Sequence, residues 1–179
     1  MNNILVLDLE STCWDHEPSP KQPSEIIEIG WCLLHYKKNW EVTYSGSILV
    51  KPRYSLVSEY CTRLTGHTQK NLEDFGMTIE EAAKELTMIG ECYGFRADRV
   101  VWSSWGMYDY RMLKSEMAQF FPLSHLHLNA KALFSTIYRS KGLGLKSALE
   151  RVGMEFHGLQ HRGKIDAVNT ARLLIHLIG

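Results

Sequence analysis

A chain of 179 residues with 45% hydrophobic content has the material for one sizeable core, and its Lys plus Arg and Asp plus Glu balance at 20 each. That balance excludes a strongly basic surface tracking long stretches of nucleic acid or an anionic membrane by charge alone, so any nucleic-acid contact is expected to be short and local. Cys13, Cys32, Cys61 and Cys92 form no CxxC pair, which argues against a zinc knuckle and a disulfide framework, and no apolar run reaches the roughly 18 residues of a membrane span.

The start of the chain, Met1-Asn2-Asn3-Ile4, has no basic stretch ahead of its apolar run, and the expected location is the cytoplasm. Ile4 to Leu7 reads as a strand buried on both faces that ends abruptly in Asp8-Leu9-Glu10. A loop with Pro18, Pro20 and Pro23 follows, a composition that opposes regular structure. Glu25 to Leu34 and Glu41 to Val50 are β-like runs joined by the polar Lys37-Lys38-Asn39, which predicts antiparallel neighbours.

Thr78 and Glu81 form a capping-box pattern ahead of Ile79, Ala82, Ala83, Leu86 and Ile89 at helical spacing. Val100 to Ser103 predicts another buried strand, and Met107 to Phe120 a weaker helix carried by Leu113, Met117 and Phe120. Leu126 to Leu128 is the candidate fifth strand, with Asn129 capping the next helix. Leu145 to Val152 is a short helix stopped by Gly153, and Ala167 to Ile178 carries a stripe of Ala167, Ala171, Leu174 and Ile178. Strands first, then strands alternating with helices, predict a mixed α/β sheet flanked by helices, with residues 1–179 as a single domain.

The acidic residues carry the chemistry. Side chains at i and i+2 of a strand share a face, so Asp8 and Glu10 project together while Leu9 turns away. Two carboxylates beside an apolar run call for a compensating cation or a proton. Asp109 and Asp166 stand at expected helix starts. Each has a simpler reading alone: a solvated strand end for Asp8 and Glu10, a dipole or cap partner for Asp109 and Asp166. Together they match hard divalent cations, which prefer oxygen ligands, and two-metal phosphodiester cleavage, in which ions roughly 3.5–4 Å apart serve the attacking and leaving oxygens. Water must also lose a proton, and a histidine with an ordinary pKa of about 6.5 suits that task. His161, five residues before Asp166, is the candidate by position; His16, His35, His125, His127 and His176 read as surface or packing residues. His157 and His161 have zinc spacing for a helix, but Gly158 and Gly163 oppose a helix there. Arg139, Lys141, Lys146, Arg162 and Lys164 are candidates for neutralising phosphates near this segment.

These residues resemble the DEDDh branch of the RNase T-like 3′-to-5′ exonucleases. Asp8-Leu9-Glu10-Ser11-Thr12 is similar to the first family motif, Ser104-Trp105-Gly106-Met107-Tyr108-Asp109 to the second, and His161 through Asp166, with its His-x4-Asp spacing, to the third. Glu25-Ile26-Ile27-Glu28-Ile29-Gly30 resembles the family's second strand, and Cys61 to Thr68 resembles a substrate-side turn. Trp105-Gly106-Met107-Tyr108-Asp109 and Glu10-Ser11-Thr12-Cys13-Trp14 look most like the Eri-1 and KapD-like branch.

The resemblance implies an RNase H-like mixed five-stranded sheet and metal ligation by Asp8, Glu10, Asp109 and Asp166 of two divalent cations, Mg²⁺ or Mn²⁺. It implies His161 as general base, and Glu10, Ser11, Tyr108 and His161 around the terminal nucleotide. The expected partner is the 3′ end of single-stranded RNA or DNA, RNA favoured, with no membrane. The competing expectations are a single-stranded DNA exonuclease of repair or proofreading, and a non-catalytic module that binds RNA ends.

Overall fold

The structure is a computed structural model that describes residues 3–16, 22–37 and 39–179. Met1, Asn2, Pro18, Pro20 and Lys38 lie outside the described residues. Five strands, β1 (Asn3–Ser11), β2 (Ile26–Tyr36), β3 (Trp40–Leu49), β4 (Val101–Ser104) and β5 (His127–Asn129), form one sheet in the order β3-β2-β1-β4-β5. The first three strands are antiparallel neighbours; β4 runs parallel to β1, and β5 parallel to β4. The expected mixed five-stranded sheet flanked by helices is present.

The helices are α1 (Glu59–Thr65), α2 (Gln69–Phe75), α3 (Ile79–Cys92), α4 (Tyr108–Glu116), α5 (Ala130–Ile137), α6 (Leu145–Arg151) and α7 (Gly163–Ile178). Alternation along β1 sorts them onto two faces. Leu5, Leu7 and Leu9 pack with Ile79, Ala82, Leu86 and Ile89 of α3 and Leu113 of α4, whereas Ile4 and Val6 pack with Ala167, Ala171 and Leu174 of α7. Asp8 and Glu10 continue the even series, so the pleat aims them at the α7 face.

β2, β3, β4 and α6 fall within two residues of their expected bounds, and five further departures bear on the core or the site. β1 does not stop at Leu7: its pairing with β2 runs on to Ser11, so both carboxylates ride on a hydrogen-bonded strand. The Met107–Phe120 segment is helical only over Tyr108–Glu116. Met117 still packs in the core, but Phe121 precedes Pro122, which disfavours helical backbone there. β5 is displaced by one residue, to His127–Asn129; the Asn129 side chain caps α5 by accepting from the Ala132 amide at 2.9 Å. The last helix begins at Gly163 rather than Ala167, which puts Asp166 inside its first turn and leaves Arg162 at the N-cap position. Finally, α1 and α2 had no counterpart in the hydrophobic pattern. At seven residues each they offer little periodicity, but Ser58 and Thr68 cap them by accepting from the Cys61 and Asn71 amides.

Candidate active site

Asp8, Glu10 and Asp166 converge: one carboxylate oxygen from each lies within 4.8 Å of the others. Two arrive by strand pleat and the third from the first turn of α7, brought close by glycines. Asp8 pairs with Gly30 across β1 and β2, and a Cβ on Gly30 would overlap the backbone of Gly163. Gly163 is itself confined, since a Cβ there would lie 2.9 Å from the Gly30 nitrogen and 3.2 Å from the Asp8 carbonyl oxygen. The α7 N-terminus thus sits on the sheet at the place where side chains are missing.

Asp109 reaches the site from the other flank. Its carboxylate accepts from the Leu9 backbone N–H at 3.0 Å. Along β1, β4 reaches only Ile4–Val6, so beyond Val6 that edge has no strand partner among the described residues, and the start of α4 supplies the acceptor. Asp109 is therefore buried in a specific contact, beyond the dipole role of a helix-start acid. It is not one of the three converging carboxylates, although its charge bears on Asp8.

The electrostatics of the group are adverse without a counter-charge. Burial, then repulsion from Asp109, Asp166, Glu10 and Glu28, pushes the Asp8 carboxyl well above the usual range. Burial and the charges of Asp166 and Glu28 push Glu10 up to about 8, with Arg162 the opposing cation. Burial raises Asp109 to about 6 against the Leu9 hydrogen bond. Asp166 is raised by burial, offset by the Arg162 amide and the nearby His161. An all-oxygen donor set whose ionised form is only partly compensated by Arg162 and His161 fits a hard divalent cation.

His161 is exposed and has φ of 58°, a left-handed conformation uncommon outside glycine. The backbone on both sides is tied down. Asn169 of α7 donates to the His157 and Ile165 carbonyls, both at 2.9 Å, while the Arg162 amide donates to Asp166 at 3.0 Å. Ser11 and Tyr108 also meet, their hydroxyls 2.7 Å apart, and Tyr108, next to Asp109, is 51% exposed.

Two residues beside this group, Glu28 and His67, lie in the family-like segments Glu25–Gly30 and Cys61–Thr68 but had no site role in the sequence reading. Glu28 pairs with Glu10 across the strands, and His67 donates to it from Nε2 at 2.7 Å. Period-2 alternation along β2 carries the signal for Glu28, since it places an acid on the face of Gly30 and Cys32. His67 has no local signal, because its partner is 39 residues away.

A family model described as RNase T, Exonuclease, matches residues 5–174. Among curated proteins, ERI1 exoribonuclease 2 of Xenopus laevis is 28% identical over 199 residues, covering 98% of this chain and 28% of the relative. The 3′-5′ exonuclease Snipper of Drosophila melanogaster is 28% identical over 205 residues, covering 98% of this chain and 69% of the relative. The chain thus spans between a quarter and a third of the length of the ERI1 exoribonuclease 2 protein. A solved structure of the nuclease domain of 3′hExo, a DEDDh family member bound to rAMP, superposes with a TM-score of 0.88 at 23% identity, covering 99% of this chain and 92% of that one. At that identity the likeness establishes the fold, which is RNase H-like.

Proposed function

The chain belongs to the RNase T exonuclease family, and we propose that it is a metal-dependent 3′-to-5′ exonuclease acting on the 3′ end of single-stranded nucleic acid, RNA in preference to DNA. The observation that carries this reading is the convergence of Asp8, Glu10 and Asp166 within 4.8 Å, in an environment that resists their ionisation. The names of the similar exoribonucleases support RNA as the polymer. Among the described residues, no helix is long and apolar enough to cross a membrane.

In this reading Asp8, Glu10 and Asp166 hold divalent cations, Mg²⁺ or Mn²⁺, with Asp109 contributing from α4. Four carboxylates balance the charge of two such ions, which when bound stabilise the attacking and leaving oxygens of an in-line displacement. His161, an exposed residue five positions before Asp166, takes the proton of the attacking water. Water oxygen bonds to phosphorus, the bond to the 3′ oxygen breaks and that oxygen takes a proton from solvent, leaving a 3′-hydroxyl on the shortened chain and a nucleoside 5′-monophosphate. Ser11 and Tyr108 line the terminal-nucleotide pocket, where the exposed Tyr108 ring offers a stacking surface.

The test is chromatographic identification of products from one RNA oligonucleotide and its DNA counterpart with Mg²⁺. Nucleoside 5′-monophosphates appearing from the first time point, faster from RNA, support the reading. Internal fragments or 3′-monophosphates contradict it.

A further inference from the structure

α7 lacks a cap of its own. Arg162 occupies the N-cap position and makes no side-chain capping hydrogen bond, although the free N–H groups of a helix start need acceptors. The acceptor comes from another element. Glu28 of β2 takes the Gly163 amide at 3.2 Å and the Lys164 amide at 3.4 Å, and its negative charge complements the positive end of the helix dipole. His67 donates to the same carboxylate at 2.7 Å and Ser47 of β3 at 2.6 Å.

Glu28 is placed unlike its acidic neighbours. It lies opposite Glu10 in the strand register, yet it is absent from the three converging ligands. Burial pushes its carboxyl up, but the hydrogen bonds from His67 and Ser47 outweigh that and leave it below the ordinary carboxylate value. Its carboxylate accepts from four donors, Ser47, His67 and the Gly163 and Lys164 amides.

The turn that supplies His67 also grips the helix from its other side. The Arg162 guanidinium donates to the Leu64 carbonyl at 2.8 Å and lies so close to Gly66 that a Cβ there would meet Nη2 at 2.7 Å. Residues 64–67 thus hold the start of α7 at two points, through Glu28 and through Arg162. The held segment carries His161 and Asp166.

We propose that Glu28 and His67 are positioning residues: Glu28 is the N-cap of α7 supplied by β2, oriented by His67, and together they fix the His161–Asp166 segment over Asp8 and Glu10. The inference rests on the exonuclease reading for its kinetic consequence only, because the capping geometry and its effect on metal binding are independent of what is cleaved.

The variants are His67→Phe, which fills the space without a donor, and His67→Gln, which restores an N–H near the Nε2 position. Three quantities are read: amide hydrogen exchange at Gly163 and Lys164, Mn²⁺ affinity by calorimetry, and kcat and KM on a single-stranded RNA. His67→Phe is expected to speed exchange at both amides, weaken Mn²⁺ binding about 10-fold or more, and lower kcat with KM unchanged. His67→Gln is expected to return all three toward wild type, which a merely space-filling histidine would not require. Wild-type exchange and Mn²⁺ affinity in His67→Phe, or equal losses in both variants, would overturn the proposal. If His67→Phe does not fold, Ser47→Ala removes the other side-chain donor from an edge strand: faster exchange at the two amides supports the cap and unchanged exchange overturns it. A wild-type protein that binds Mn²⁺ but shortens no oligonucleotide defeats the exonuclease reading and leaves the cap to be judged by exchange.

Discussion

Gly30 and Gly163 touch backbone to backbone, with Asp8 directly across the strand pair from Gly30. This contact sets the distance between the acids of β1 and the acid of α7. Gly30→Ala is therefore expected to be severe: its Cβ has only backbone to displace, so either α7 lifts or the protein fails to fold. Chemical denaturation should show a loss of roughly 4 kcal/mol or more, with metal affinity falling in any fraction that still folds. A near-wild-type denaturation midpoint would show that the helix start yields easily.

The acidic cluster makes stability without metal depend on pH. Glu10 is pushed from an ordinary 4.5 to about 8, and Asp8 and Asp166 are also raised. The folded protein thus retains protons that the unfolded chain releases near pH 4.5. This contribution to stability is full below that pH and is lost as pH rises toward 8. In chelator, the melting temperature should fall across this window, and Mg²⁺ at pH 8 should recover most of the loss.

The same repulsion predicts an opposite effect of one substitution on fold and function. Asp8→Asn removes a charge from the cluster and should raise the metal-free melting temperature at pH 8 by roughly 5 °C, while turnover falls to background. A melt that drops instead would assign Asp8 a structural role in the β1–β2 pairing.

Tyr108 separates ring from hydroxyl. If the exposed ring stacks on the terminal base, Tyr108→Ala should raise KM on RNA about 10-fold with little change in kcat, since such stacking is worth about 1–3 kcal/mol. Tyr108→Phe, which loses only the hydroxyl contacts with Ser11 and, at 3.4 Å, Ser24, should stay near wild type. Steady-state kinetics on a short RNA distinguish the two; a Phe variant as impaired as Ala would place the function in the Tyr108–Ser11 hydroxyl pair.

Much of this arrangement was legible because it is local. The i, i+2 spacing of Asp8 and Glu10 gave their shared face, Thr78 with Glu81 announced α3 and its capping box is formed, and Ala167, Ala171 and Leu174 of the α7 stripe pack in the core while Ile178 is exposed. The early start of α7 was not legible, since the acceptor for Gly163 lies 135 residues away on β2. Asp109 shows the same limit: its place at the start of α4 was visible, but its bond to Leu9 depends on how far β4 pairs along β1. α1 and α2 were hidden by their length, their caps being the only sequence signal they carry.

The central claim is that Asp8, Glu10 and Asp166 hold the metal for removal of nucleotides from a 3′ end. The most direct measurement is a time course of metal-stripped protein on a 5′-labelled single-stranded RNA, with chelator, Mg²⁺ or Mn²⁺, beside Asp8→Asn. The predicted result is a ladder shortening one nucleotide at a time from the 3′ end, silent in chelator, restored by either ion and absent in the folded variant. Shortening that persists in chelator, or that survives Asp8→Asn, would contradict it.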